Sequence, residues 1–110
     1  MADGEIPEVD VAALADALAQ GAAVIDVRQP DEYEGGHVPG AVLLPLDQLE
    51  GRTAEVPADG ELYVICQMGG RSARAVAYLA SVGIEATNVA GGTKAWIAAG
   101  EPVTVGPQPR

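Results

Sequence analysis

The residue best suited to chemistry is Cys66, the only cysteine of the 110-residue chain. It follows the apolar run 62–65, which has the composition of a buried strand, and precedes Ser72, which we expect to cap a helix. The residues between them are Gln67, Met68, Gly69, Gly70 and Arg71. The two glycines let this loop curl around the sulfur, and helix N-terminal amides together with Arg71 would stabilise a thiolate. We therefore predict a nucleophilic cysteine that needs no separate base, the alternative being an inert, packed thiol.

Four other residues could act near this loop, and each has a structural alternative. Asp26 and Arg28 follow the apolar run 22–25. We expect them to form an ion pair that holds this strand near the Cys66 loop; the alternative is that they contact substrate. His37 lies between glycine-rich turns, where tying loops together by hydrogen bonds is favoured over acting as a base. Trp96 lies on an apolar helix face and is expected to anchor the core.

The charge distribution narrows the possible partners. Sixteen acidic and six basic residues give a net charge of -10, which disfavours nucleic acid as a partner. Residues 62–84 nevertheless contain no carboxylate and carry Arg71 and Arg74, which suits a small anion. The alternative is that a buried strand and an amphipathic helix have no room for acids. A single cysteine excludes an internal disulfide and a cysteine-clustered zinc site.

The sequence also predicts neither a membrane span nor a targeting segment. Uncharged stretches such as 62–70 and 75–84 are far shorter than the roughly 20 apolar residues that a membrane span needs. The acidic N-terminal residues 1–5 resemble neither a secretory signal nor a transit peptide. We therefore expect a cytoplasmic protein that does not bind membranes.

The elements that must position Cys66 alternate along the chain. Apolar runs predict strands, and caps and glycine stops predict helices. The predicted strands are 22–25, 41–44, 62–65 and 84–89. The predicted helices are 11–20 capped by Asp10, 30–34, 73–82 capped by Ser72 and 94–99 capped by Thr93, with a further helical turn over 45–49. This alternation predicts an α/β fold with a parallel sheet covered by helices on both faces, and Cys66 lies at a carboxyl end of a strand, where such folds bind ligands.

Three blocks of the sequence together resemble the single-domain rhodanese family. The blocks are residues 26–33 with 36–41, residues 66–72, and Gly91-Gly92 with Ala95-Trp96 and Gly100. They extend over about residues 8–102, which makes 1–110 one domain with a short tail, 103–110. The resemblance implies a five-stranded parallel sheet flanked by helices and a cysteine that cycles between thiolate and persulfide, with thiosulfate as the usual test donor.

The resemblance also assigns roles within the loop. Cys66 would be the nucleophile and persulfide carrier, the amides of Gln67, Met68, Gly69, Gly70, Arg71 and Ser72 would surround the outer sulfur, and Arg71 would hold a small anionic sulfur donor. Neither a metal nor a cofactor is expected. The acceptor would be cyanide or a thiol, and the uncharged Gln67 and Met68 are compatible with an organic thiol or a protein-bound persulfide as partner.

Two other classes of function remain open. The first is a non-catalytic rhodanese-like interaction or sulfur-carrier module, against which the retention of Cys66 with Arg71 argues. The second is a cysteine-dependent phosphatase or arsenate reductase on the same scaffold. Resemblance to thiol phosphatases would place arginine six positions after the nucleophile, whereas here Arg71 stands five positions after Cys66 and Ser72 occupies the sixth.

Overall fold

The computed structural model describes residues 6–110 and contains five strands interleaved with helices. The strands are β1 (Glu8–Val9), β2 (Ala23–Asp26), β3 (Val42–Leu43), β4 (Leu62–Ile65) and β5 (Thr87–Val89). The α-helices are α1 (Val11–Ala19), α2 (Pro30–Glu34), α3 (Leu46–Leu49), α4 (Gly70–Ser81) and α5 (Gly92–Ala98), and a 3-10 helix spans Glu50–Glu55.

The five strands form one parallel sheet in the order β1-β5-β4-β2-β3. The central strand β4 pairs with β2 over its whole length, from Ala23 opposite Leu62 to Asp26 opposite Ile65. Since the strands are parallel, the carboxyl ends of β2 and β4 lie side by side. The residues that follow them, including Arg28 and Cys66, are therefore brought to the same edge of the sheet.

Helices cover both faces of the sheet because the buried strands are apolar on both sides. On β4, Val64 belongs to the core formed with α3 and α4, while Ile65 belongs to the core formed with α1, α2 and α5. All four β4 residues are buried. The fold is therefore a single α/β domain with a five-stranded parallel sheet between two layers of helices.

Two predicted helix caps are wrong. The fourth helix begins at Gly70, with Gly69 as its N-cap at φ +112°, so Ser72 lies inside the first turn and does not cap it. The last helix begins at Gly92 after Gly91, so Thr93 is also inside the helix. In both cases a glycine in the left-handed region turns the chain earlier than the Ser or Thr signal indicated. Both side chains are thereby free to bond elsewhere.

The remaining boundaries lie within one or two residues of the prediction, except that the strand predicted from residue 84 begins at Thr87, and two elements are missing from the prediction. Asp10 caps α1 by accepting a hydrogen bond from the Ala13 amide, and α2 spans the predicted residues. The short strand Glu8–Val9 and the 3-10 helix Glu50–Glu55 were not predicted from residue patterns. None of the helices in residues 6–110 is both long and apolar enough to cross a membrane.

Candidate active site

Cys66 follows directly after β4, and its side chain is buried, with 1% of the residue exposed. Its Sγ accepts two hydrogen bonds, one from the Gly69 N–H at 3.1 Å and one from the Ser72 hydroxyl at 3.2 Å. Because Gly69 and Ser72 flank the start of α4, the sulfur lies at the N-terminal end of this helix. The loop thus directs a set of donors at one atom, which is an arrangement that favours the anionic form of the thiol.

Opposing effects act on the pKa of Cys66, and the donors prevail. Burial raises the pKa of the thiol, whereas the Ser72 hydroxyl and the nearby amides of Ser72, Gly69 and Met68 lower it. The net pKa lies below the ordinary value for cysteine. Stabilisation of the thiolate therefore comes chiefly from hydrogen-bond donors, which act on the charged form of the group.

The first residues of α5 bind the Cys66 loop through its backbone carbonyls. The carbonyl oxygen of Cys66 accepts from the Thr93 N–H at 2.8 Å and from the Thr93 hydroxyl at 3.0 Å, and the Gln67 carbonyl accepts from the Lys94 N–H at 3.0 Å. This contact is close because Gly92 has no side chain. A Cβ on Gly92 would lie 2.5 Å from the Gln67 carbonyl oxygen. The two loop carbonyls are thus bound by the first residues of α5.

Asp26 and Arg28 form a buried ion pair that extends to the loop. Arg28 Nη2 lies 2.9 Å from Asp26 Oδ2, and both residues are almost fully buried. The guanidinium also donates from Nη1 to Gln67 Oε1 at 3.1 Å and from Nη2 to the Gly36 carbonyl at 2.9 Å. Arg28 therefore links the end of β2 to the Cys66 loop through the Gln67 side chain. This is the ion-paired arrangement that the sequence favours for these two residues.

Arg71 has a partner that the sequence does not reveal. Its Nη1 and Nη2 atoms donate to the two carboxylate oxygens of Glu32 at 2.7 and 2.9 Å. The hydrogen bond from Arg71 lowers the pKa of Glu32 to about 2, so the pair is ionised at neutral pH. Arg74, one turn further along α4, is exposed. Met68 is also exposed and projects at the rim of the loop.

Asn88 is another residue near the loop that sequence reasoning missed. It is buried on β5 and donates from Nδ2 to the Gly69 carbonyl at 3.3 Å and to Glu8 Oε2 at 2.8 Å. The predicted strand 84–89 also contains Glu85 and Thr87, so one more polar residue at position 88 gives no distinct signal. Thr93 gives none either, because a threonine after two glycines is an ordinary helix cap.

His37 and Trp96 lie away from the sulfur and serve packing. His37 Nδ1 lies 2.7 Å from the Tyr33 carbonyl and Nε2 lies 2.9 Å from the Gln108 carbonyl, so its ring connects α2 with the C-terminal tail. Trp96 is buried in the core and donates from Nε1 to the Pro102 carbonyl at 2.7 Å. The tail is therefore packed against the domain, although its composition is that of a linker.

Residues 10–99 match the Rhodanese-like domain family, and the chain belongs to this family. A sulfurtransferase of Allochromatium vinosum is 34% identical over 101 residues, covering 89% of this chain and 94% of the relative. A thiosulfate sulfurtransferase, GlpE, of Pseudomonas syringae is 36% identical over 78 residues, covering 70% and 74%. An uncharacterized protein, YqhL, of Bacillus subtilis is 46% identical over 76 residues, which are 68% of this chain and 60% of that longer relative.

Solved structures show the same fold. A rhodanese-related protein from Thermoplasma volcanium superposes with a TM-score of 0.84 at 31% identity, covering 90% of this chain and 98% of its own. The family relationship and the sulfurtransferases among the relatives support a transferase role for this chain.

Proposed function

We propose that the protein is a sulfurtransferase in which Cys66 carries sulfur as a persulfide. The observation that carries the proposal is the convergence of the Gly69 amide and the Ser72 hydroxyl on Cys66 Sγ at the helix N-terminus. These donors lower the pKa of the thiol despite its burial, so the thiolate is a larger fraction of the protein at a given pH than for an ordinary cysteine. A thiolate in this setting is the nucleophile that sulfur transfer requires.

The reaction is a pair of displacements at sulfur. The Cys66 thiolate attacks the outer sulfur of a donor such as thiosulfate, the donor S–S bond breaks, and sulfite leaves with the bonding electron pair. Cys66 is then a persulfide anion. An acceptor, cyanide or a thiolate, attacks the outer sulfur, forms thiocyanate or a new persulfide, and releases the Cys66 thiolate. Atoms and charge balance without a metal or cofactor.

The surrounding residues have separate tasks in this proposal. The loop amides from Gln67 to Ser72 stabilise the negative charge on the outer sulfur by donating hydrogen bonds, and the fold positions these donors before the reaction. Arg28 and Asp26 position the loop through Gln67.

Direct contact between Arg71 and an anionic donor stays a prediction. The cytoplasmic location and the extent of the domain, residues 1–110 with a core at about 8–102, also stay predictions. The name of the GlpE relative supports thiosulfate as the donor to test first.

The test is the intact mass of the protein after treatment with thiosulfate. We expect a gain of one sulfur atom that is reversed by a thiol or by cyanide, with thiocyanate as the product in the second case. Cys66→Ser, which keeps the size of the side chain, is expected to gain no sulfur and to keep its circular dichroism spectrum.

The same preparation is assayed with an aryl phosphate. We expect no hydrolysis, because the loop places Arg71 five positions after Cys66 and holds it on Glu32. Release of phosphate that depends on Cys66 and exceeds sulfur transfer would favour the phosphatase alternative. A protein that gains no sulfur from any donor would be an interaction module.

A further inference from the structure

Two arginines belong to the Cys66 loop or bond to it, and each is paired with a carboxylate. Arg28 is paired with Asp26, and Arg71 is paired with Glu32. The two pairs together contribute no net charge, and the protein as a whole has a net charge of -10. A site selected for small dianions would be expected to present uncompensated positive charge. The charges around this loop instead cancel.

The Glu32–Arg71 pair is built in a way that fixes both partners. The guanidinium meets the carboxylate through two parallel hydrogen bonds of 2.7 and 2.9 Å, which is the strong, bidentate form of this interaction. Glu32 is also fixed from its own helix, because its Oε1 accepts from the Gln29 N–H at 3.1 Å. The guanidinium of Arg71 is consequently directed at α2.

Arg71 nevertheless lies within electrostatic reach of the sulfur. Its pKa is raised first by the hydrogen bond with Glu32 and also, to a smaller extent, by attraction to the Cys66 thiolate. The largest effects on the pKa of Cys66 are burial and the donors of the loop, so attraction by Arg71 is a weaker effect on the thiolate. Cancelling the charge of Arg71 therefore changes the potential that an anion meets at the thiolate.

The groove beside Arg71 also has balanced charges. An open groove of about 500 Å³ lies between α3 and α4, with Arg71 and Arg74 on one side. Asp47 and Glu50 supply two carboxylates to the same groove, and Leu46, Tyr78 and other apolar side chains line the rest. The groove therefore offers no excess of positive charge beside Arg71.

We propose that Glu32 is a specificity-determining residue, which cancels the charge of Arg71 beside Cys66 and thereby disfavours small inorganic dianions as donors relative to donors of lower charge. This inference rests on the proposed sulfurtransferase function for its substrate class. Its electrostatic part concerns the thiolate alone and can be measured without sulfur transfer. Thiosulfate is accordingly a weakly bound donor for the native protein.

The first experiment compares the rates at which iodoacetate and iodoacetamide alkylate Cys66. The reagents are similar in size and differ by one negative charge, and both react with the same thiolate, so the ratio of rates is independent of the pKa. Glu32→Gln removes the carboxylate charge and keeps an acceptor for the Gln29 amide. In this variant the positive charge of Arg71 is no longer cancelled. Its Coulomb attraction predicts that the ratio of the iodoacetate rate to the iodoacetamide rate rises about threefold at low salt and that the rise disappears at high salt.

The matched control is Glu34→Gln, which makes the same change in net charge on the same helix. Glu34 is exposed, and we expect the ratio of the two alkylation rates in Glu34→Gln to stay at the native value. A second control places Glu32→Gln in an Arg71→Ala background, where the rise should vanish because the effect acts through Arg71. An equal rise in Glu34→Gln, no rise in Glu32→Gln, or a rise that persists without Arg71 would overturn the proposal.

The second experiment measures persulfide formation from thiosulfate. Because thiosulfate carries two charges, the expected factor is the square of that for iodoacetate, so Glu32→Gln should lower KM about tenfold with kcat little changed. A donor of lower charge, such as an alkyl persulfide, should show a smaller change. If the native protein accepts no sulfur from either donor, the proposed function fails while the alkylation ratio still decides the role of Glu32. Sulfur transfer with an unchanged KM in Glu32→Gln would refute the specificity role alone.

Discussion

Gly92 is the position at which a single methyl group would disturb the loop most directly. Its φ of +60° is in the left-handed region, and a Cβ there would lie 2.5 Å from the Gln67 carbonyl oxygen and 2.6 Å from that of Cys66. Both are backbone atoms, so no side chain can rotate away. In Gly92→Ala either α5 or the Cys66 loop must move.

The expected cost has two parts. A left-handed conformation costs alanine about 1–2 kcal/mol. Movement of α5 also breaks up to three hydrogen bonds that Thr93 and Lys94 donate to the loop, each of which contributes about 0.5–1.5 kcal/mol. Together these predict a loss of about 3–6 kcal/mol in the free energy of unfolding, a large part of the ~5–15 kcal/mol of an ordinary domain.

The assay is urea unfolding of Gly92→Ala beside Gly100→Ala. Gly100 has a similar φ of +79°, and a Cβ there would meet no atom within 4 Å, so this control isolates the conformational cost of about 1–2 kcal/mol. Gly92→Ala should also alkylate differently at Cys66, because the loop carbonyls lose their donors. Equal destabilisation of the two variants, with native alkylation of Cys66, would refute the role assigned to the α5 contact.

Two further substitutions test the donors and the ion pair. Ser72→Ala removes the hydroxyl donor to Cys66 Sγ, so the pKa of the thiol should rise and the half-maximal pH of alkylation should move upward, with the plateau rate unchanged. An unmoved pH profile would show that the amides alone stabilise the thiolate. Arg28→Ala leaves Asp26 buried without its partner and should cost about 3–5 kcal/mol of unfolding free energy in urea. The cost should be smaller when Asp26→Asn is added, and simple additivity of the two changes would contradict this explanation.

The elements predicted most accurately are those whose signals are local. Asp10 before α1, Pro30 at the start of α2 and the apolar run in β4 each carry their information within a few residues. Strand β1 carries no such signal, since Glu8 and Val9 are too few to show alternation. They form a strand because they pair with Asn88 and Val89 of β5, about eighty positions away. Such a pairing depends on the assembled sheet rather than on local sequence.

The candidate site divides in the same way. Cys66, its glycine loop and the Asp26–Arg28 pair are predicted from residues that are adjacent or nearly so. The Glu32–Arg71 pair joins residues 39 positions apart, and the sequence alone offers several acids that could meet Arg71. The partner is set by the fold, which places the start of α2 beside the start of α4. That placement changes the expected chemistry, because an arginine that looks free to hold an anion is already bonded.

Ser72 shows how a small error in a boundary alters the assignment of a side chain. As a cap it would lie before the helix and accept a hydrogen bond from the N–H of the second or third helical residue. Gly69, at φ +112°, starts the helix at Gly70 instead, and Ser72 is then buried within the first turn with its hydroxyl donating to Cys66 Sγ. The same glycine supplies the other donor through its own N–H. The activation of the thiol therefore depends on where α4 begins, and that start is fixed by the backbone conformation of one glycine.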